Sequence, residues 1–381
     1  MYIYREITPY VEALAKAFPV VMVTGPRQSG KSTLVQEIFP NHLYVNMENP
    51  QEREKAKADA EGFLARGPMI IDEVLRMPLL LEFIQSIVDR KKAMGHFILT
   101  GSNQPELFEK VSESLAGRVG IAELMPLSLS ELKGAGMDVS DRNAVLYNGF
   151  MPRLHADGIA PNVLYSSYFR TYVERDVRKL VNIGDLDLFE TFVQLLAGRV
   201  GQLVNKQSLA KVVGVSEMTI ARWITVLKTS YIVFSLRPYH NNFGKRITKS
   251  TKIYFTDTGL VSYLLGIRSP ADMATHPLLG NIFENMVIAD AYKEQFNSGK
   301  RPNLHFFRNS SGTVEVDLLR EEGQDLYAYE IKASSTFAEN MTRGLKSFSA
   351  IAPNNKSRTV IYSGSTTPPL AVNYADIRSV M

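Results

Sequence analysis

Val20-Val21-Met22-Val23-Thr24-Gly25-Pro26-Arg27-Gln28-Ser29-Gly30-Lys31-Ser32 is the stretch that decides the fold. Its first five residues are apolar or β-branched and read as a short buried strand, while Lys31 to Phe39 carries apolar positions at helical spacing. Between them lies G-x-x-x-x-G-K-S. In that pattern glycines let the backbone curl so that its N–H groups cradle phosphate, the lysine neutralises the β- and γ-phosphates, and the hydroxyl ligates Mg²⁺. The helix that follows directs the partial positive charge of its first turn at the same anion. Gly25, Pro26, Arg27, Gln28, Ser29, Gly30, Lys31, Ser32 and Thr33 are therefore expected to hold ATP, with Ser32 also on Mg²⁺.

The first third of the chain alternates short apolar runs with helical patterns, as a parallel sheet flanked by helices does. Leu43 to Asn46, Met69 to Asp72, His96 to Thr100 and Ile121 to Leu124 read as further strands, and Leu79 to Lys91 as a helix. Pro68-Met69-Ile70-Ile71-Asp72-Glu73 is an apolar strand ending in two acids, at the edge where ligands sit in such sheets. This is a Walker B pattern: Asp72 is expected in the Mg²⁺ shell and Glu73 as the group that polarises attacking water. Thr100, Ser102 and Asn103, at the tip of the next strand, either orient that water or simply make a polar turn. Arg118 reads as an arginine finger, in its own subunit or across an oligomer interface, or as a surface arginine, and Arg27 has the same ambiguity.

The formal charge of +4 hides an uneven distribution. Leu188 to Lys252 holds ten Lys/Arg (Arg199, Lys206, Lys211, Arg222, Lys228, Arg237, Lys245, Arg246, Lys249 and Lys252) against Glu190 and Glu217, a net of +8 that leaves −4 for the rest. A helix, helix, turn, helix, hairpin pattern runs through this segment, with Ser216 as N-cap, Trp223 in the core, and Thr219, Arg222 and Lys228 facing outward. The basic loop from Arg237 to Thr251 suits phosphates, so double-stranded DNA is the expected partner of Leu188 to Lys252; a packing lid is the bland alternative. Farther on, Val314-Glu315-Val316-Asp317-Leu318 and Tyr327-Ala328-Tyr329-Glu330-Ile331-Lys332 read as alternating strands after a helix carrying Glu284. Asp317, Glu330 and Lys332 have the order of a PD-(D/E)xK nuclease, in which Glu284, Asp317 and Glu330 would hold Mg²⁺ and Lys332 would help activate water; a half-exposed strand has the same alternation.

These residues resemble a known group. The loop at Gly25 to Ser32, the Asp72-Glu73 pair, Leu99-Thr100-Gly101-Ser102, Leu115-Ala116-Gly117-Arg118 and Met125-Pro126-Leu127-Ser128 are similar to prokaryotic AAA-type P-loop ATPases with a C-terminal DUF4143 domain. The likeness continues through Tyr172-Val173-Glu174-Arg175-Asp176-Val177, Asp257-Thr258-Gly259-Leu260, Phe283-Glu284, Glu315-Val316-Asp317 and Glu330-Ile331-Lys332. It departs at Leu75, where a glutamine is expected, and at Asn148, where a glycine is. The resemblance implies an α/β P-loop sheet, then a winged helix, then a restriction-endonuclease-like domain, with bounds expected at 1–160, 161–255 and 256–381.

The absence of cysteine excludes disulfides, thiolate metal sites and a cysteine nucleophile, and six histidines without a His-x-x-x-His pair argue against a zinc site. No apolar run reaches the roughly 18 residues of a membrane span, and the N-terminus lacks a secretory pattern, so a cytoplasmic location without membrane contact is expected. A homo-oligomer is compatible with a finger acting between subunits. The leading expectation is an ATPase that couples nucleotide state to DNA; the rivals are an ATP-gated Mg²⁺-dependent nuclease and a nucleotide-dependent switch that binds a protein.

Overall fold

The computed structural model describes residues 1–91, 93–102, 110–111, 113–172, 186–240, 250–366 and 368–381. Helix α1 (Thr8–Ala17) leads into β1 (Val20–Thr24), α2 (Lys31–Ile38), β2 (Leu43–Asn46), α3 (Pro50–Ala58), α4 (Ala60–Leu64), β3 (Met69–Asp72), α5 (Leu80–Arg90), β4 (Phe97–Gly101) and β5 (Val119–Glu123). The five strands form one parallel sheet in the order β2-β3-β4-β1-β5. Strands β1, β3 and β4 are buried along their whole length, which is why they read as unbroken apolar runs. Alternate residues feed two cores: Val20, Met22, Ile71 and Leu99 pack toward α3, α4 and α5, while Val21, Val23, Ile70 and Ile98 pack toward α1 and α2. The expected strands and helices of this sheet are present, with ends moved by one or two residues.

Because β1, β3 and β4 run parallel, their C-terminal ends share one edge, and Val23 lies opposite Thr100 and Asn46 opposite Asp72. That register collects the glycine loop, the acid pair and the Thr100 tip at a single place.

Past the sheet come α6 (Leu129–Gly134), α7 (Arg142–Asn148), α8 (Pro152–Asp157) and α9 (Pro161–Tyr168). Residues 169–172 continue α9 as a π-helical turn, and 173–185 lie outside the described residues. Next are α10 (Leu186–Ala197), α11 (Lys206–Val213) and α12 (Glu217–Thr229), then the antiparallel pair β6 (Val233–Pro238) and β7 (Lys252–Phe255). Asn205 and Ser216 cap α11 and α12 by accepting backbone N–H groups, and Gly214 supplies the left-handed turn between them at φ 83°. Trp223 is core, with its ring 5.3 Å from those of Phe189 and Phe192.

The remaining elements are α13 (Thr258–Leu264), α14 (Pro270–Thr275), α15 (Leu279–Asn297), β8 (Leu304–Arg308), β9 (Glu315–Glu322), β10 (Asp325–Lys332), α16 (Arg343–Ile351), β11 (Asn355–Tyr362) and β12 (Ala371–Asn373). Their strands join the hairpin in one mixed sheet, β12-β11-β10-β9-β8-β6-β7. Strand β6 pairs with β8 at Arg237 and Pro238, so the middle segment and the C-terminal part share a sheet. They share a core too, a single apolar cluster running from Leu127 to Ile377 with Ile3 added. Helix α15 is buried on most sides. Asn285 pins it to Phe255 through both backbone groups, Asp290 accepts from Leu129 N at 2.7 Å, and Lys293 donates to the Leu127 carbonyl at 2.8 Å.

Candidate nucleotide site

The glycine loop has the backbone its sequence requires. Gly25 sits at φ 142°, and a Cβ there would meet the Leu124 carbonyl oxygen at 2.1 Å, so no other residue fits. Gly30 opens α2 in the left-handed region, and Gln28 shares that conformation despite its side chain. Arg5, buried and remote in sequence, braces the loop: it donates to the Ser29 carbonyl and the Met125 carbonyl, both at 2.7 Å, and to Glu131 at 3.0 Å. Lys31 is buried with its ammonium on the carbonyls of Gly25 (3.1 Å) and Pro26 (2.8 Å). Burial pulls its pKa down to about 8 against the pull of Glu73 and Asp72.

Asp72 is the centre of a hydroxyl array. Ser32 Oγ donates to its two oxygens at 3.0 and 2.9 Å, Tyr44 donates at 2.6 Å, and the Thr100 hydroxyl donates a short bond. Thr100 Oγ1 also accepts from Glu73 N at 3.1 Å, which fixes the backbone of the next residue. Glu73 itself stands at φ 53°, a strained setting for a residue with a side chain, and Ser102 Oγ reaches its carboxylate at 3.5 Å. Arg27, Gln28, Gly30, Lys31, Ser32, Thr33, Asp72 and Glu73 all line one cavity of about 930 Å³. Its other wall includes Tyr2, Pro152, Arg153 and Tyr172. Ser32 and Asp72 offer the hard oxygen ligands that Mg²⁺ prefers, and Arg27, Lys31 and the first turn of α2 line the same cavity, so the set fits a phosphate with its cation.

Arg118 is elsewhere. Val119, its neighbour, pairs with Val20 at the start of β1, so Arg118 lies at the opposite edge of the sheet, on the order of 13 Å of strand away from the loop. Its guanidinium makes a two-pronged ion pair with Asp89 at 2.6 and 2.8 Å. This placement corrects the expectation of a finger within its own subunit. Asn103 lies outside the described residues.

In the C-terminal sheet the expected group does assemble. Lys332 Nζ is 2.6 Å from Glu330 and 3.7 Å from Asp317, and Asp317 also accepts from Ile331 N at 2.8 Å. Glu284 comes in from α15 and accepts from Tyr254 at 2.6 Å. Burial and the charge of Asp317 push both Glu284 and Glu330 up to about 7. Among the described residues no group of three His, Cys, Asp or Glu is placed to hold an ion as the side chains stand. Two ammonium groups are instead paired with these carboxylates, Lys332 with Glu330 and Lys252 with Glu284 (3.4 Å) and Glu315 (2.9 Å).

Three families of sequence match in succession, an AAA domain over 17–133, a domain of unknown function (DUF8612) over 139–271 and a domain of unknown function (DUF4143) over 279–378. Two uncharacterized proteins, of Mycobacterium tuberculosis and Mycobacterium bovis, are each 32% identical over 361 residues, covering 93% of this chain and 78% of theirs. The chain belongs to the AAA-type P-loop ATPases with a C-terminal DUF4143 domain. An uncharacterized Haemophilus influenzae protein is 24% identical over 314 residues, 73% of this chain and 75% of its own. Among solved structures, the chain is similar to a Walker-type ATPase of Pyrococcus abyssi, at 14% identity and a TM-score of 0.44 over 68% of this chain and 94% of that one. As a member of this family the chain binds nucleotide at the P-loop.

The basic segment of this DUF4143 ATPase is only partly a surface. Lys206, Lys211, Arg222, Lys228 and Arg237 are exposed, and Lys228 is pushed down by burial of its stem and by the nearby charges of Arg237 and Lys206. Lys252 is buried among acids and does not belong to that face, which corrects its inclusion in the expected DNA contact. Lys245, Arg246, Lys249 and the run 173–177 lie outside the described residues. No helix among the described residues is long and apolar enough to cross a membrane. Arg5, Tyr44, Arg153 and Tyr172 are site residues that motif reading missed. Tyr44, on a strand ending at the same edge, and Tyr172, which opens one of the motifs quoted for the family likeness, had a signal in the sequence.

Proposed function

We propose that this protein hydrolyses ATP in the cavity between Lys31 and Glu73, and that nucleotide state governs how its helical segment engages double-stranded DNA. The observation that carries the reading is the array on Asp72: three neutral hydroxyls hold the carboxylate in place without discharging it, beside a P-loop lysine and Glu73 in the same cavity. Lys31 and the first turn of α2 supply positive charge for the phosphates. Ser32 and Asp72 would hold Mg²⁺, which supplies charge neutralisation of the β- and γ-oxygens. Glu73, with its backbone fixed by Thr100, is placed to accept a hydrogen bond from water and orient it.

The DNA half rests on the capped helices α11 and α12 and their exposed Lys206, Lys211, Arg222, Lys228 and Arg237, a short positive face on a helix-turn-helix followed by a hairpin, the layout of a winged helix. Any finger role for Arg118 then requires a second copy of the chain. The test is steady-state ATP hydrolysis with and without duplex DNA at low salt, with Lys31→Ala as the blank. Stimulation by DNA supports both halves. Turnover indifferent to DNA removes the second, and no turnover above the blank removes the first.

A further inference from the structure

The end of α12 touches the root of the phosphate loop at two points. At the first, Tyr231 follows the helix in the left-handed region, φ 57°, where glycine or asparagine is the usual residue. The strained position aims the phenol away from its own helix, and its hydroxyl donates to Glu123 Oε2 at 3.1 Å. Glu123 ends β5 in register with Thr24, the residue before Gly25, and the adjoining Leu124 N donates to the Thr24 carbonyl at 2.8 Å. The Leu124 carbonyl is the atom against which Gly25 packs. Thus Tyr231 holds the strand that shapes the first turn of the loop.

At the second point, Tyr172 donates its hydroxyl to the Ser230 carbonyl at 3.1 Å, one residue from Tyr231. Its ring lies 5.7 Å from the guanidinium of Arg27, inside the loop, and it lines the nucleotide cavity. Two independent contacts therefore join Arg27 and the β1 root to adjacent residues at the end of one 13-residue helix. That helix carries Arg222 and Lys228 outward and Trp223 inward, and it moves as a unit because its backbone is hydrogen-bonded throughout.

We infer that Tyr172 and Tyr231 are positioning residues that join the phosphate loop to α12, so that nucleotide in the loop and a polyanion on the exposed face of α12 act on each other. The inference rests on the nucleotide reading above, and the effect must be reciprocal: whatever factor nucleotide applies to polyanion affinity, polyanion applies to nucleotide affinity. A helix with two seats, biased from both ends, is the physical element such coupling needs.

Trp223, the only tryptophan in the sequence, sits in α12 and reports on it directly. The experiment titrates a non-hydrolysable ATP analogue with Mg²⁺ into the full chain, following Trp223 emission while calorimetry measures binding. Wild type should show an emission change that saturates with binding. Tyr231→Phe should bind the analogue within about fivefold of wild type, the scale of one hydrogen bond, and both Tyr231→Phe and Tyr172→Phe, each compared at saturating analogue, should lose most of the emission change. Glu123→Gln, which keeps an acceptor for Tyr231, should retain it. A full response in both tyrosine variants, or none in wild type with analogue bound, overturns the relay. No binding by calorimetry instead defeats the nucleotide reading and the relay with it. A duplex titration in parallel separates the DNA half: if DNA never binds, that half fails while the emission result still decides the relay.

Discussion

Asp72 takes its hydrogen bonds from the hydroxyls of Ser32, Tyr44 and Thr100, whereas Glu330 and Asp317 share the ammonium of Lys332, and Glu284 and Glu315 that of Lys252. Asp72, Asp317 and Glu330 lie on strands and Glu284 on α15, and these four were read from sequence as metal-bearing carboxylates. The difference lies in what neutralises them. A hydroxyl orients a carboxylate and leaves its charge available to a cation, while an ammonium ion discharges it and fills the space a cation would take. The first site keeps its charge for a ligand, and in the second the carboxylates already have ammonium partners.

The comparison breaks most readily at the lysines. Lys31→Ala should lower ATP turnover by about 10³-fold, since it removes the charge facing the phosphates. Asp317→Asn and Lys332→Ala should leave turnover at the wild-type level in the same assay. An equal loss from Asp317→Asn would mean that the two sites are one machine and the contrast is false. The acid pair gives the next effect. Glu73→Gln should reduce kcat by about 10²-fold with analogue affinity retained, because the amide keeps the shape but replaces the charged, basic carboxylate that polarises water with a weak neutral acceptor. Loss of affinity without loss of kcat would transfer the role of Glu73 from chemistry to binding.

A smaller effect tests the hydroxyl array itself. Thr100→Val removes one donor to Asp72 and the acceptor for Glu73 N, and Tyr44→Phe removes another donor. Each should raise the Mg²⁺ concentration needed for nucleotide binding by about tenfold, as loss of an outer partner of a metal ligand does. Mg²⁺ titrations at fixed analogue measure it. Unchanged Mg²⁺ dependence in both variants would mean that Ser32 alone is enough to orient Asp72.

The parts of this site that were legible in sequence are those in which one short segment carries all the geometry. Strand, glycine loop and helix are contiguous from Val20 to Ile38, and the Asp72-Glu73 pair ends its own strand, so local pattern was sufficient. Thr100 and Tyr44 needed the strand order, which follows only from the packed sheet. Arg5 reaches Ser29, Met125 and Glu131 from a segment with no pattern of its own, and nothing in the sequence marks it. Lys252 was misread because a count of charges has no direction. Period two along β7 puts Lys252 and Tyr254 on one face, and both meet Glu284 Oε1 there, so the clue was parity and not net charge. The hairpin's place in the larger sheet was hidden for a similar reason: β6 meets β8 at only two register positions, far apart in the chain.

The smallest effect is one of pH and belongs to the second site. Glu284 and Glu330, pushed up to about 7 from 4.5 by burial and by Asp317, bind more protons folded than unfolded between those values. Their contribution to stability therefore falls as pH rises from about 4.5 to about 7 and is flat above, with a slope of at most about 1.4 kcal/mol per pH unit for each proton. Lys252 and Lys332 are raised, so their contribution is complete below their unfolded pKa and is lost only at pH values above the folded one, outside this window. Asp290, raised by burial to about 6, adds a slope of the same sign on α15. In Glu330→Gln the Tm measured across this window should decline less steeply than in wild type, with the Asp290 part remaining, and Asp72→Asn should leave the decline as it was. A wild-type slope in Glu330→Gln would mean that the carboxylates titrate alike folded and unfolded, and that the ammonium groups leave no mutual repulsion for folding to overcome.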